Sequence, residues 1–351
     1  MAGRVIEVRL ASPMPDLLQV LAQPELGLVH GEGETGPMVL ERGDDGVLLA
    51  MRPPAERGLP DEEGWRDHVR DIRVSGLAAE AAIARFDDGE ADVVLGGRLG
   101  QLPLADLGPL SRGTVRLDPA IGLFGLRVQR ARGALATPEL REALAMSIDR
   151  PALATAFNVG GWVPTTRVVA PDLPDDPDMV AERWDGASID QLRAVAAGRL
   201  AGLDGQARRL TLAIGDAPGE QLLLRELARQ LATVGITLVQ ARSAGGADLA
   251  LVDKVARYPS PRWFLNQFNC ILEDGLCSTA ADRLASSALD ERDTPTRARL
   301  MGEAEGALTQ ANIYIPFGSP LRWSLVRGEV DGFAPNLWAF HPLPDMAVIP
   351  R

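Results

Sequence analysis

Residues 208–253 read RRLTLAIGDAPGEQLLLRELARQLATVGITLVQARSAGGADLALVD, and this stretch decides the fold class. Its apolar periodicity predicts a strand over 208–215, an amphipathic helix over 219–235, and strands over 236–241 and 247–253. A strand–helix–strand–strand order of this kind favours an α/β unit with parallel pairing. We therefore expect an α/β protein.

The residues before this stretch also alternate between strands and helices. A helix is predicted over 75–89, where Gly89 supplies the left-handed cap. A turn-rich link at Arg42–Gly46 joins two apolar runs and predicts a hairpin. The predicted strands of this part of the chain are 5–10, 37–41, 46–53, 91–97, 113–117 and 122–128.

Capping signals place the remaining elements. Thr137 followed by Pro138 predicts a helix start, and Asp149 predicts the cap of a second short helix. Residues 163–190, rich in Pro and Asp, predict a long surface loop. A further helix is predicted from Thr294 to Gln310, and strands are predicted over 313–317 and 321–328.

Length and charge exclude several classes of protein. The 351 residues exceed one ordinary core and suggest two compact units or one interleaved pair. The net charge of −12 disfavours a general nucleic-acid binder, because such a surface repels phosphate backbones. No apolar run approaches the roughly 18–20 residues of a membrane span. Residues 1–13, MAGRVIEVRLASP, carry no secretory signal pattern, so no export signal is expected in the sequence as given.

Motifs for catalysis and for metal binding are weak. Gly31–Gly36 matches G-x-G-x-x-G, but Glu32 and Glu34 lie inside the loop and Pro37 leads into a strand, so a turn is expected. The three histidines are far apart and show no metal-ligand spacing. We therefore predict no enzyme activity, no cofactor and no metal.

Two residue types leave alternatives open. Cys270 and Cys277 could form a short-loop disulfide, typical of an oxidising compartment, or remain reduced thiols. Trp162 and Trp263 lie beside glycine- or proline-rich links, where aromatic residues often line a ligand cleft; the alternative is packing under a loop. Lys254 is the only lysine, and all other basic side chains apart from histidine are arginine.

Four segments in order resemble the family 5 extracytoplasmic solute-binding proteins, the peptide/nickel-type receptors of ABC importers. They cover nearly the whole chain. The first is a Thr-Gly-Pro turn followed by a hairpin, and the second is a helix that ends in Ile-Asp-Arg before a glycine pair. The third is a helix followed later by a segment similar to Tyr-x-x-Pro-x-x-Phe-Leu. The fourth is an Arg-bearing helix followed by an Ile-Pro strand and a Val-x-Gly-Phe turn. The segments are residues 31–53, 137–171, 210–268 and 295–336.

The resemblance implies a periplasmic-binding-protein-like fold of two α/β lobes joined by a two-crossover hinge. Residues 1–126 with 318–351 would form lobe I and residues 127–317 lobe II, with crossovers near Phe124–Arg130 and Tyr314–Gly318. The signal peptide, the opening strands and the small extra domain of the family have no counterpart, so the chain is expected to be a truncated or reduced member. The implied role is to bind a small solute, peptide-like or anionic, in an interlobe cleft and deliver it to a membrane permease, in the periplasm or at the cell surface.

The resemblance also implies candidate ligand-binding residues. Phe124 would lie at the first crossover and Arg98 in the loop after a strand, although Arg98 could instead be a surface arginine. The other candidates are Arg257, Tyr258, Trp162 and Trp263. Peptide-binding relatives carry an acidic residue at the position of Arg257, where it pairs with the ammonium group of the peptide. An arginine there suits a carboxylate or a phosphate, which predicts a ligand with an anionic group. The alternatives are that Arg257 faces solvent or pairs with Asp253.

A second interpretation of the same fold is a cytoplasmic ligand-sensing module, as found in transcription regulators. The absence of a helix-turn-helix pattern from the sequence counts against it.

Overall fold

The computed structural model describes residues 7–27, 36–43, 46–105, 114–171, 173 and 176–349. Apart from Gly36, the G-x-G-x-x-G turn lies outside the described residues. The α-helices are α1 (Leu17–Leu21), α2 (Ala79–Asp87), α3 (Pro138–Ser147), α4 (Arg150–Ala156), α5 (Ile189–Leu200), α6 (Pro218–Ala232), α7 (Pro261–Asn266), α8 (Thr279–Asp290), α9 (Thr294–Ala311) and α10 (Leu343–Met346). The strands are β1 (Met38–Gly43), β2 (Gly46–Met51), β3 (Ile72–Val74), β4 (Val93–Arg98), β5 (Val115–Asp118), β6 (Gly122–Val128), β7 (Arg209–Ala213), β8 (Thr237–Gln240), β9 (Leu249–Val255), β10 (Tyr314–Gly318) and β11 (Arg322–Val326).

Residues 208–253 contribute three strands to a five-stranded sheet, the central sheet, with strand order β10-β6-β9-β7-β8. Strand β7 pairs in parallel with both β8 and β9, which confirms the predicted α/β unit. Strands β6 and β10 extend this unit by antiparallel pairing. The sheet is therefore mixed.

Helix α6 covers the parallel half of the central sheet. Its residues Leu223, Leu227 and Leu231 recur every four positions and are completely buried, as a helix with one apolar face requires. The chain leaves the helix through Gly235, which has a φ of +80°. Glycine reaches this left-handed conformation without a steric penalty.

A second sheet, the cleft-wall sheet, has the order β4-β11-β5 and is antiparallel throughout. The predicted hairpin forms a third sheet with β3, in the order β1-β2-β3. Met38 and Met51 of this third sheet pack with Ala347 beside α10. The C-terminal residues thus join the first third of the chain.

Two short connections link the central sheet to the cleft-wall sheet. Residues 119–121 lead from β5 into β6, and residues 319–321 lead from β10 into β11. The segments expected as crossovers, Phe124–Arg130 and Tyr314–Gly318, lie instead in and just after β6 and in β10. The change between sheets therefore falls a few residues away from each of them.

Other sequence predictions differ in detail. Residues 7–10, the described part of the strand predicted over 5–10, form no strand. The predicted loop at 163–190 ends at the start of α5, whose N-cap Ser188 accepts a hydrogen bond from the backbone of Gln191. The loop is anchored by Arg167, which pairs with Asp176 at 2.9 Å and with Glu305 of α9 at 3.0 Å, all three buried.

Candidate functional site

A cleft lies between the cleft-wall sheet and the central sheet and contains two cavities. The first, of about 540 Å³, is called the tryptophan cavity because Trp263, Trp323 and Trp338 line it. The second, of about 700 Å³, is called the strand-end cavity because residues 213–216 and 240–243, which begin at the ends of β7 and β8, line it. Ligands of open α/β sheets bind outside the carboxyl ends of the parallel strands, which is where this second cavity lies.

Both cavities share two charged residues. Arg98, the last residue of β4, and Asp253 of β9 line each of them. Arg98 comes from the cleft-wall sheet and Asp253 from the central sheet. Their position makes the two cavities parts of one cleft.

The backbone before Arg98 directs this side chain into the cleft. The pairing of β4 with β11 shifts register between Trp323 and Leu325, and Gly96 takes a φ of +79° in the same stretch. A β-bulge of this kind re-aims the side chains that follow it. The indole Nε1 of Trp323 donates a hydrogen bond of 2.9 Å to the carbonyl of Arg98. The Trp323 ring lies over Gly97, where an added Cβ would come within 2.3 Å of the ring.

In the tryptophan cavity, Arg98 and Lys254 are the cations that form no ion pair with a described carboxylate, and Arg242, which lines the strand-end cavity, forms none either. Both are exposed and both line the tryptophan cavity, Arg98 from β4 and Lys254 from β9. Among the described residues, the Arg98 guanidinium has neither a hydrogen bond nor an ion pair. Lys254 Nζ donates to the amide oxygen of Gln267 at 3.1 Å. Arg98 therefore reaches the cavity from the cleft-wall sheet and Lys254 from the central sheet.

The acidic groups of the tryptophan cavity already have partners. Asp253 Oδ1 lies 2.7 Å from Arg322 Nη1 of β11, so this ion pair joins the two sheets. Burial raises the pKa of the Asp253 carboxyl, and the nearby Arg322 and Arg98 offset part of that increase. Asp118 accepts from the backbone of Asn336 at 3.0 Å and lies 3.2 Å from His341 Nε2.

Arg257 lines the tryptophan cavity, but its guanidinium is engaged elsewhere. Its Nη1 lies 2.5 Å from Glu25 Oε1, and 59% of the side chain is exposed. The partner is thus Glu25 of the N-terminal segment, and Asp253 pairs with Arg322 instead. A second ion pair, between Arg262 and Asp16 at 3.4 Å, holds the same segment against α7.

The two aromatic candidates near the connections belong to the core. Phe124 is 1% exposed and packs edge-to-face against Trp162 and Phe317, with ring centroids 6.2 and 5.5 Å away. Trp162 is half-buried, and its Nε1 donates a hydrogen bond of 2.7 Å to the carbonyl of Ser319 in the second connection. Neither residue lines the two cavities of the cleft, because both pack beside the connection between β10 and β11.

Of the two remaining aromatic candidates, one lines the cleft and the other does not. Trp263 lines the tryptophan cavity while being only 7% exposed, and it packs edge-to-face on Phe264. Tyr258 is half-buried beside α7 and does not line either cavity. Burial and the neighbouring Asp16 raise the pKa of the Tyr258 hydroxyl, while Arg262 lowers it in part.

Several cleft residues escaped the sequence reasoning. Arg322, Trp323, Asp118 and His341 reach the cleft through strand pairing and loop contacts across long sequence separations. Lys254 carried a signal, since it is the only lysine among 36 lysine and arginine residues.

The two cysteines form a disulfide, with 5.1 Å between their Cα atoms. The closed loop contains Asp274, whose carboxylate lies 2.9 Å from Nη1 of the buried Arg127. In the part of the chain that the structure describes, no group of three or more His, Cys, Asp or Glu residues could hold a metal ion. No helix in that part is long and apolar enough to cross a membrane.

Two sheets joined by two backbone passes around a charged cleft are typical of proteins that close around a ligand by a hinge motion, such as the periplasmic binding proteins. The model of the family "Bacterial extracellular solute-binding proteins, family 5 Middle" matches residues 63–270, and the chain belongs to this family. No curated protein sequence matches the chain.

Solved structures of family members share the fold at low sequence identity. OppA of Haemophilus influenzae, in complex with the peptide RPPGFSPFR, has a TM-score of 0.75 at 15% identity, over 97% of this chain and 72% of that one. The murein tripeptide binding protein MppA of Escherichia coli has a TM-score of 0.71 at 18% identity, over 97% and 71%. NikA of Brucella suis, in complex with Fe(III)-EDTA, has a TM-score of 0.70 at 17% identity, over 90% and 68%.

Proposed function

We propose that this chain is the binding component of an ABC importer, which holds a solute with an anionic group between Arg98 and Lys254 and delivers it to a membrane permease. The observation that carries the proposal is the pair of cations that line the tryptophan cavity, one from each sheet, neither of them in an ion pair with a described carboxylate. An anion that contacts both walls stabilises the closed arrangement, because a ligand shifts an equilibrium only through contacts that differ between its states. Permease delivery rests on family membership.

The proposal moves the anion-binding role from Arg257 to Arg98. Glu25 already neutralises Arg257, so a ligand carboxylate would have to displace it. Arg98 forms no ion pair, and the nearby Asp253 is already paired with Arg322. OppA is named in complex with a peptide, MppA is named as a tripeptide binding protein, and NikA is named in complex with an anionic chelate, Fe(III)-EDTA, so the fold accommodates such chemistry.

We propose in addition that two lobes close around this cleft, with their boundaries moved from the expected 126/127 and 317/318 to the connections between the central sheet and the cleft-wall sheet. The strand pairing supports lobe boundaries at the connections 119–121 and 319–321. The Cys270–Cys277 disulfide supports a periplasmic or cell-surface location, because such bonds persist in oxidising compartments. Fractionation of cells tests this, and a strictly cytosolic protein would contradict it.

Binding is tested with defined probes. Native mass spectrometry of the purified protein detects any solute that co-purifies, and thermal-shift screening against mono- and dicarboxylates and acidic dipeptides finds further binders. For each binder, Arg98→Met and Lys254→Met should weaken affinity on the order of tenfold or more, since charge-assisted hydrogen bonds contribute about 1.5–3 kcal/mol. Arg73→Met, an exposed arginine on β3 outside the cleft, is the matched control. Unchanged affinity in both cleft variants would overturn the assignment.

A further inference from the structure

A short turn after Arg98 is in tight contact with the start of α6. This 3-10 turn, Leu99–Leu104, follows β4 of the cleft-wall sheet, whereas α6 packs on the central sheet. A Cβ added at Gly219 would come within 2.0 Å of the Leu99 carbonyl oxygen. One added at Gly100 would lie 3.0 Å from the Cβ of Ala217. The contact thus requires small residues on both sides.

The same contact buries apolar side chains from both sides of the cleft. Leu99 and Leu102 of the turn are each 1% exposed and belong to one core cluster with Leu223 and Leu227 of α6. Separation of the turn from the helix would expose these leucines to water, which is unfavourable in proportion to the apolar area uncovered. The contact therefore favours the closed arrangement without any ligand.

We propose that the turn Leu99–Leu104 and the first turn of α6 form a latch that holds the two lobes closed, with Gly100, Ala217 and Gly219 as positioning residues for ligand binding. The latch acts on binding through Arg98, the residue immediately before it, which lines both cavities of the cleft. This consequence for affinity rests on the proposed function. The latch itself is tested without ligand, so the two proposals can fail separately.

The first experiment is disulfide trapping in the full chain. The variant Gly100→Cys/Ala217→Cys places two thiols across the latch, and the two native cysteines are already bonded to each other. The new Cβ atoms would lie 3.0 Å apart, so a shift of the turn by about 0.5–1 Å brings them to the separation of roughly 3.5–4 Å that a disulfide needs. Protein freed of bound solute by unfolding and refolding is exposed to a mild oxidant, and the linkage is mapped by mass spectrometry. The latch predicts rapid formation of the 100–217 bond without ligand, whereas each single-cysteine variant remains uncrosslinked. Failure of the pair to crosslink in correctly folded protein would overturn the proposal.

The second experiment crowds the latch. Gly219→Ala introduces a methyl group against the Leu99 carbonyl, while Gly198→Ala in α5 introduces one into open space and serves as the matched control. In the background of the cysteine pair, Gly219→Ala should slow crosslinking on the order of tenfold, since overpacking disfavours the tight state. Small-angle scattering of the same variant should show a larger radius of gyration, with unchanged circular dichroism. Crosslinking and scattering identical to those of Gly198→Ala would overturn the latch, whatever the outcome of the binding screen.

Discussion

Asp253 and Arg322 form an ion pair that spans the two sheets, with 2.7 Å between Oδ1 and Nη1. Asp253 lies on β9 of the central sheet, and Arg322 is the first residue of β11 after the second connection. The side chains are 19% and 8% exposed, so the pair is largely shielded from water. The pair lies where the two cavities meet, because Asp253 lines both of them.

Removal of one partner should destabilise the protein. In Asp253→Asn the Arg322 guanidinium loses its counter-charge while it remains buried, and we expect the free energy of unfolding in urea to fall by about 3 kcal/mol. The double variant Asp253→Asn/Arg322→Met should recover part of this loss, because no uncompensated charge remains. Equal stability of the single variant and the wild type would contradict the role of the pair.

The order of elements around α6 could be predicted from sequence, whereas the site could only partly be predicted. Period-two and period-four apolar patterns are local, so β7, α6 and β8 follow from residues that are adjacent in the chain. The pairing of Arg322 with Asp253, and of Trp323 with the Arg98 carbonyl, depends on strand register between distant segments. Nothing in the local pattern encodes that register.

Arg257 shows that a resemblance can place a residue in the fold without predicting which residue it pairs with. Its place beside the cleft agrees with the expectation, but its partner Glu25 lies more than 200 residues earlier in the chain. Phe124 shows the reverse: its sequence position near the crossover was close, yet its side chain is 1% exposed in the core. Alternation along a strand decides which side chains face a cleft, and a shift of one residue inverts the choice.

The Cys270–Cys277 disulfide should stabilise the protein and hold Asp274 in place as the counter-ion of Arg127. The chain-entropy model gives about 2.5 kcal/mol for a loop of about eight residues, and Cys270→Ser/Cys277→Ser should lose about that much in urea unfolding. A further loss of stability is expected because the contact of Asp274 with Arg127 loosens. Burial lowers the pKa of Arg127, and the nearby Asp274 carboxylate offsets part of that decrease. Asp274→Asn alone, with the disulfide intact, isolates this second contribution. The expectation fails if reduction by dithiothreitol leaves wild-type stability unchanged.

Glu305 should make stability depend on pH. Burial raises the pKa of its carboxyl above the ordinary 4.5, and Arg167 offsets part of the increase. The folded state then holds the proton more tightly than the unfolded state, so this group's contribution to stability is greatest below pH 4.5 and declines as pH rises through the folded pKa.

The measurement compares urea unfolding of the wild type and Glu305→Gln from pH 4 to pH 7. The wild-type advantage over the variant should shrink as pH rises, because the variant lacks the titrating group. Glu303→Gln, two residues earlier on α9, is the matched control, because it removes a carboxylate that is 36% exposed and paired with Arg299. A wild-type advantage that grows with pH would reverse the predicted sign.

The packing of the second connection should require glycine at position 318. Gly318 ends β10, and an added Cβ would come within 2.4 Å of the Trp162 ring and 2.5 Å of the Val163 carbonyl oxygen. Gly318→Ala therefore has to push Trp162 away from the connection, which strains its hydrogen bond to Ser319. Overpacking of this kind costs about 1–3 kcal/mol, so we expect a loss of that size in urea unfolding and a red shift in tryptophan emission. Gly306→Ala in α9, where a Cβ meets nothing within 4 Å, should leave both unchanged or raise stability slightly. Identical behaviour of the two variants would show that Trp162 yields freely and that the connection does not need glycine.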